Sequence, residues 1–487
     1  MVKALMFQGT GSDVGKSLMV AGLSRAFANR GLKVKPFKPQ NMSNNAAVTS
    51  DGGEIGRAQH LQALAARTPA TVHMNPVLLK PQTDIGAQVI VRGKVRGAAS
   101  AREYQHLKAG LLDEVLESYQ LNAGGADLVL IEGAGSPAEI NLPGKDIANM
   151  GFAAAANVPV ILIADIDRGG VIASVVGTHA VISADAQSRV KGYVINKFRG
   201  DVSLFDGGLT EISQRTGWSN LGIAPWFNKA AHLPAEDAVA LDKKSKEGNG
   251  AIRIAVPKLS RIANFDDLDP LKTEPDVEVL MISPGTAIPG DVDLILIPGS
   301  KATIADLAFL RDQGWDIDIL AHHRRGGRVL GICGGYQMLG KSVTDPQGIE
   351  GKKKEAVGLG LLDITTDLTP EKNLGEIEAT HVASGTALRG YEIHLGETAG
   401  PDCARPFLTI EDNLDGARSI DGKVEGCYLH GLMRSDDFRH AYLDSLRSRV
   451  DSGVSYDALV DKTLDDLAAH LETHLDLDRM LEIADGA

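Results

Sequence analysis

Two short stretches carry residue types that do chemistry. The first is "GTGSDVGKS", Gly9 to Ser17, between the apolar run "KALMF" and a segment of helical periodicity. Glycines there let backbone N–H groups approach a phosphate, the Lys16 ammonium can reach the terminal phosphates, and the Ser17 hydroxyl can ligate magnesium. The expected nucleotide-binding set is Gly9, Thr10, Gly11, Gly15, Lys16 and Ser17. Counted back from Gly15, the usual first glycine of such a loop falls on Thr10, so Gly9 stands one residue early. The second stretch is "RVLGICGGYQMLG", Arg328 to Gly340, a buried-strand pattern that ends at Cys333 and turns through two glycines into a helix. A strand–turn–helix of this kind sets a nucleophile on a sharp elbow, and the helix start favours a thiolate. The Gly334 N–H, with Gly335 allowing the close approach, can face an oxyanion. A thiol nucleophile needs a base, and "GCYLHGL" offers His430 at a strand end. A structural thiol and a structural histidine are the alternatives. Cys403 and Cys427 have no such elbow.

Around the first stretch, polar side chains gather at predicted strand ends. "LVLIEGAGS" places Glu132 at a predicted strand end, where a strand-end cap would sit. Asp51 and Glu54, in "TSDGGEIGRAQ", are candidates for a metal carboxylate or for loop caps. Asp146 and Asp167 lie in "GSPAEINLPGKDIANM" and "ADIDRGG"; each is either a synthetase-site carboxylate or a loop cap. "YVINKF" puts Asn196 and Lys197 at a strand end, and "KPQNMSNNA" supplies Asn41, Asn44 and Asn45, either as a substrate surface or as their own Asx-turns. In an open α/β sheet the carboxyl ends of the strands form the ligand crevice.

The elements that must position these groups are apolar runs alternating with helical segments. This predicts two α/β domains, each a doubly wound, mainly parallel sheet covered on both faces. The alternation breaks at "LDKKSKEGNG" and then restarts. The expected division is 1–240 for the phosphate-loop domain, 241–250 for a linker, 251–450 for the cysteine-bearing domain and 451–487 for closing helices. The 487 residues are 43% hydrophobic and 23% charged, with a net charge of −13, which speaks against a nucleic-acid partner. Three scattered cysteines form neither a disulfide framework nor a zinc cluster, so a cytoplasmic setting is expected. No run approaches the ~18 apolar residues of a membrane span.

The early glycine makes the loop resemble that of dethiobiotin synthetase and its relatives. That resemblance implies ATP-dependent phosphorylation of a carboxylate with Mg2+, Glu132 near the metal and Asn196 at the nucleotide base. "LILIPGS", "GICGGYQMLG" and "YLHGL" resemble a class I glutamine amidotransferase domain. By that likeness Cys333 attacks the amide of glutamine, His430 is its base and Gly299 adds an oxyanion N–H. Many such domains carry a glutamate two residues after the histidine, but here Leu432 stands there. Either another group orients His430 or a dyad suffices. With "PQNMSNN", "EIGRAQ", "NPVLLKP" and "GAGSPAEINL", the chain resembles the cobyric acid synthase family. The implied substrates are a corrinoid carboxylic acid, ATP and glutamine. The implied reaction is amidation of the b, d, e and g propionates of adenosylcobyrinic acid a,c-diamide. The sister family that amidates the a and c acetates, and a regulatory ATPase with a binding-only second domain, are the competing readings.

Overall fold

In the computed structural model, residues 2–82, 86–141, 146–236, 251–351, 354–411, 413–450 and 452–486 are described. The expected linker, 241–250, lies outside them.

The apolar runs form the strands that their sequence predicts. Six of them make one parallel sheet in the order Ser219–Pro225, Val190–Phe198, Val160–Asp165, Lys3–Gly9, Leu128–Glu132, Val34–Phe37. Side chains alternate across a strand, so Lys3–Gly9 serves two cores. Leu5 and Phe7 face the helix Lys16–Asn29, while Ala4 and Met6 face a layer that includes Val115, Phe152 and Val175. Lys3–Gly9 lies between Leu128–Glu132 and Val160–Asp165, and the phosphate loop leaves its carboxyl end.

The second half repeats the plan. Its sheet runs Val277–Ile282, Ile252–Pro257, Leu294–Ile297, Arg328–Ile332, Val424–Cys427, Ala417–Arg418, parallel except for the last pair. The chain is therefore α/β with two doubly wound sheets, as its alternation of runs implied.

Two features have no clear sequence signal. A small sheet, Gln40–Met42, Val77–Pro81, Gly86–Val91, Lys94–Ser100, grows out of the first half. A long hairpin, Thr365–His381 with Ala387–Ala399, reaches out of the second. They meet in one apolar patch, where Leu78, Ile90, Ala46 and Val48 pack against Tyr391, Ile393 and Leu374.

The closing helices, Tyr456–His474 and Leu477–Asp485, return to the first half and cover the helix Lys16–Asn29. Gly22 is the close-approach point, since a Cβ there would lie 2.5 Å from Leu471 and 2.7 Å from Leu467. The fully buried Arg25 beside it pairs with Asp461 at 2.5 Å and Asp465 at 3.3 Å. The C-terminal segment thus staples the two halves together. No helix among the described residues is long and apolar enough to cross a membrane.

Candidate active sites

Cys333 ends the strand Arg328–Ile332 and precedes the helix Gly334–Leu339. Its backbone has φ +52° and ψ −110°, a conformation that costs a non-glycine residue on the order of 1–3 kcal/mol. The expected elbow is present. A Cβ on Gly335 would lie 2.1 Å from the Ile297 carbonyl oxygen, and one on Gly334 2.9 Å from the Ser300 nitrogen, so both glycines let the turn press against the neighbouring loop. Gly335→Ala is expected to destabilise the fold by roughly 1–3 kcal/mol, read as a lower urea midpoint at unchanged slope.

His430 is fully buried and lines the same 40 Å³ cavity as Cys333, together with Gly299 and Ser300. A Cβ on Gly299 would lie 2.9 Å from the imidazole Cε1, so only glycine lets this loop meet the histidine. The orienting acid comes from elsewhere in the chain. Asp267, on the 3-10 turn Phe265–Leu268, places Oδ2 2.7 Å from His430 Nδ1, and its Oδ1 accepts from the Gly431 N–H at 2.6 Å. Leu432 is a core residue. Burial disfavours charge on the imidazole. The Asp267 carboxylate and the Cys333 sulfur outweigh it and raise the His430 pKa to about 10. A charged imidazole beside a thiol at a helix start is the setting in which cysteine acts as its thiolate.

The turn that carries Asp267 is held by the first half of the chain. Arg57 pairs with Asp266 at 2.9 Å and donates to the Tyr391 hydroxyl at 2.6 Å, and Tyr391 stacks on the His430 ring at 5.3 Å. Asn264 accepts from the Ala46 N–H at 3.1 Å while its amide nitrogen stands 3.3 Å from His430 Nε2.

The second cavity, about 1010 Å³, opens at the phosphate loop. Gly15 has φ +95°, and a Cβ there would lie 2.4 Å from the Asn196 amide nitrogen, which donates to the Val14 carbonyl at 2.8 Å. Asn196 therefore braces the loop. A Cβ on Gly9 would lie 2.8 Å from both the Gly11 carbonyl and the Lys16 ammonium, whereas one on Gly11 would meet open space. The Thr10 N–H donates to the Ile163 carbonyl at 2.9 Å. Lys16 donates to the Gly11 and Gly135 carbonyls at 2.9 and 3.1 Å, and its pKa is lowered, chiefly by burial against the opposing pull of Glu132.

Ser17 donates to Glu132 and is equally placed, at 2.7 Å, to Glu236. Lys38 bridges the same two carboxylates at 2.9 and 3.2 Å. Burial opposes the Lys38 charge, but the pair of carboxylates holds its pKa above the usual lysine value. Glu236 is held below its ordinary value, since Lys38 and hydrogen bonds from Ser17 and Asn41 outweigh burial. Asn41 donates to Glu236 and to Gln59, each at 2.8 Å, and lines the cavity.

Other expected site residues lie apart from Ser17. Asp51 accepts from the Val72 N–H and acts as a loop cap. Glu54 is buried between Lys80, at 2.7 Å, and Lys372, facing the cysteine cavity and not the phosphate loop. Asp146 accepts from the N–H groups of Ala148, Asn149 and Gly151, which makes it a cap for the helix Met150–Ala155. Asp167 does line the nucleotide cavity, paired with Arg199 at 2.6 Å. Lys197 lines it as well, paired with Asp165 at 2.9 Å. Asn45 is fully buried and donates to the Ala235 carbonyl at 2.8 Å, so it shapes the loop beside Glu236. Asn44 keeps a buried Oδ1 without a hydrogen-bond partner among the described residues and does not line the cavity.

One strand divides the two cavities. Leu79 and Pro81, on Val77–Pro81, line the nucleotide side, and Lys80 lines the cysteine side.

Residues 5–240 match the CobQ/CobB/MinD/ParA nucleotide binding domain family, and residues 253–438 the CobB/CobQ-like glutamine amidotransferase domain family. Curated relatives match end to end. Cobyric acid synthase of Sinorhizobium medicae (strain WSM419) is 60% identical over 476 residues, 98% of each chain. That of Brucella suis biovar 1 (strain 1330) is 58% identical over 485 residues, 99% of this chain and all of the relative. With both domain families in one chain and this identity over its whole length, the chain belongs to the cobyric acid synthase family.

Proposed function

We propose that this chain amidates the b, d, e and g propionates of adenosylcobyrinic acid a,c-diamide, using ATP to activate each carboxylate and glutamine as nitrogen donor. The observation that carries this reading is the pairing of a cysteine–histidine–aspartate cavity and a phosphate-loop cavity on opposite faces of one strand. In the first, Cys333 Sγ attacks the side-chain amide carbon of glutamine. N–H groups of Gly299 and Gly334 receive the oxyanion, with Gly335 giving the room. His430 takes the thiol proton and passes it to the departing nitrogen, so ammonia leaves and a glutamyl thioester remains for water to hydrolyse. In the second, Lys16 and the loop N–H groups receive the ATP phosphates. The γ-phosphoryl group passes to the substrate carboxylate, and ammonia displaces phosphate from the acyl phosphate.

The residues fit a magnesium ion. Ser17, Glu132 and Glu236 converge as hard oxygen donors, and the Lys38 cation between the carboxylates shows that the place favours positive charge. When bound there, such an ion would neutralise charge developing on the phosphates. The cavity is large enough for a nucleotide together with the carboxylate-bearing edge of a broad substrate, with Asn41 in its wall.

Supplying cobyrinic acid and its a,c-diamide separately, with ATP and glutamine, tests the reading. Turnover of the diamide to a product four amides richer is expected. Accumulation of a,c-diamide from cobyrinic acid, with the diamide itself inert, would assign the chain to the sister reaction.

Asp267 is a positioning residue for His430. Asp267→Asn should lower glutamine-driven turnover about 10²-fold and leave ammonium-driven turnover in place. A folded-state pKa raised to about 10 means that the His430–Asp267 pair contributes stability that is whole below the unfolded histidine value. That contribution is lost as pH rises through about 10. The Asn variant should show a smaller fall in stability between neutral and alkaline pH, read by urea unfolding at both.

A further inference from the structure

The cysteine cavity holds more charge than cleavage of a neutral amide requires. Its walls include Lys80, Lys301, Lys372 and Glu350. Glu54, behind them, accounts for two of the cations by pairing with Lys80 and Lys372. Those two lysines draw its carboxyl down to about 2 despite complete burial. Lys301 is the remaining cation. It follows directly on the Gly299–Ser300 loop, and among the described residues its ammonium forms no ion pair. Burial, with Lys372 and Lys80 nearby, lowers its pKa to about 7 against the pull of Glu54 and Glu350. Glu350 is the remaining carboxylate. It accepts from the Ile304 N–H at 3.2 Å and feels Lys301 without forming an ion pair with it. Burial raises its pKa against hydrogen bonds from Thr303 and Ile304 and the nearby Lys301 charge.

Free glutamine brings one charge of each sign. With its amide carbon at Cys333, its α-carboxylate and α-ammonium come to rest a few bonds away, within the same walls. A buried charge without a partner is costly. The unspent charges of the cavity are complementary to those of the amino acid.

We propose that Lys301 binds the α-carboxylate, and Glu350 the α-ammonium, of free L-glutamine, so that the cavity selects the free amino acid over amides that lack these groups. This rests on the reading of Cys333 as the glutamine-cleaving nucleophile and names the remainder of that substrate site.

Two truncated amides separate the contributions. 4-Aminobutanamide is glutamine without its carboxylate, and glutaramic acid is glutamine without its amine. Ammonia release is measured as kcat/KM for each on the full-length enzyme. In Lys301→Met the preference for glutamine over 4-aminobutanamide should fall roughly 30-fold or more, because only glutamine loses a partner. In Glu350→Gln the preference for glutamine over glutaramic acid should fall similarly. Each preference is a ratio within one protein, so partial loss of folded enzyme cancels. Ratios equal to those of the wild type would overturn the assignment. Equal ammonia release by wild type and Cys333→Ser would remove the nucleophile and this proposal with it, a result distinct from unchanged ratios in an active enzyme.

Discussion

Replacing Cys333 with alanine is expected to reduce glutamine-driven synthesis about 10⁴-fold or more while ammonium salts still support it. The size follows from the kind of group removed. Without Sγ no covalent intermediate forms, and Cys427, buried on the neighbouring strand, turns its thiol to the Leu429 carbonyl at 3.8 Å. The preserved ammonium-driven rate follows from geometry. Among the described residues the two cavities share no lining residue, so acyl phosphate still forms and free ammonia can meet it from solvent. The comparison needs only amide product measured with each nitrogen source. Loss of both would mean that the elbow also shapes the synthetase side.

Lys16→Ala is expected to lower synthesis about 10³-fold with glutamine and with ammonium alike. The ammonium now rests on two carbonyls, Gly11 and Gly135, at the floor of the cavity, where phosphates can take their place. Its loss removes a buried cation from the transferring phosphoryl group. Release of ammonia from glutamine needs no phosphate and should survive, so one assay of glutamate formation distinguishes a phosphate role from general damage. Unchanged synthesis would show that the lysine lies off the path.

The two predictions rest on residues that could be read from the sequence, because each belongs to a local pattern. The phosphate loop and the cysteine elbow are strand–turn–helix units in which spacing alone fixes geometry. His430 could be read from its strand end. Asp267 could not, since it stands 163 residues before its histidine and Leu432 occupies the place where an acid is usually sought. Glu236 was hidden in the same way, 219 residues from Ser17 and next to a charged, aperiodic stretch. Glu54 misled for the converse reason. It belongs to a polar loop near the nucleotide site in sequence, but Lys372, from the hairpin 318 residues on, draws it to the other cavity. The parallel sheets followed from continuous apolar runs. The small sheet and the hairpin did not, because their strands are partly polar and divide their apolar residues between a domain core and the patch where the two meet. The return of the last helices onto the first domain was likewise invisible, as amphipathic spacing gives a face and not its partner.

The strand Val77–Pro81 has a consequence for how this chain can vary. A substitution at Lys80 alters the wall of one cavity, and a substitution at Leu79 alters the wall of the other. Gaining or losing a single residue within the strand turns every later side chain to the opposite face. The lysine would then enter the nucleotide side and the leucine the cysteine side, so both half-reactions would fail in one step. Length is the property this segment has to keep. Its side chains can be exchanged one at a time at the expense of one activity, but its count of residues belongs to both.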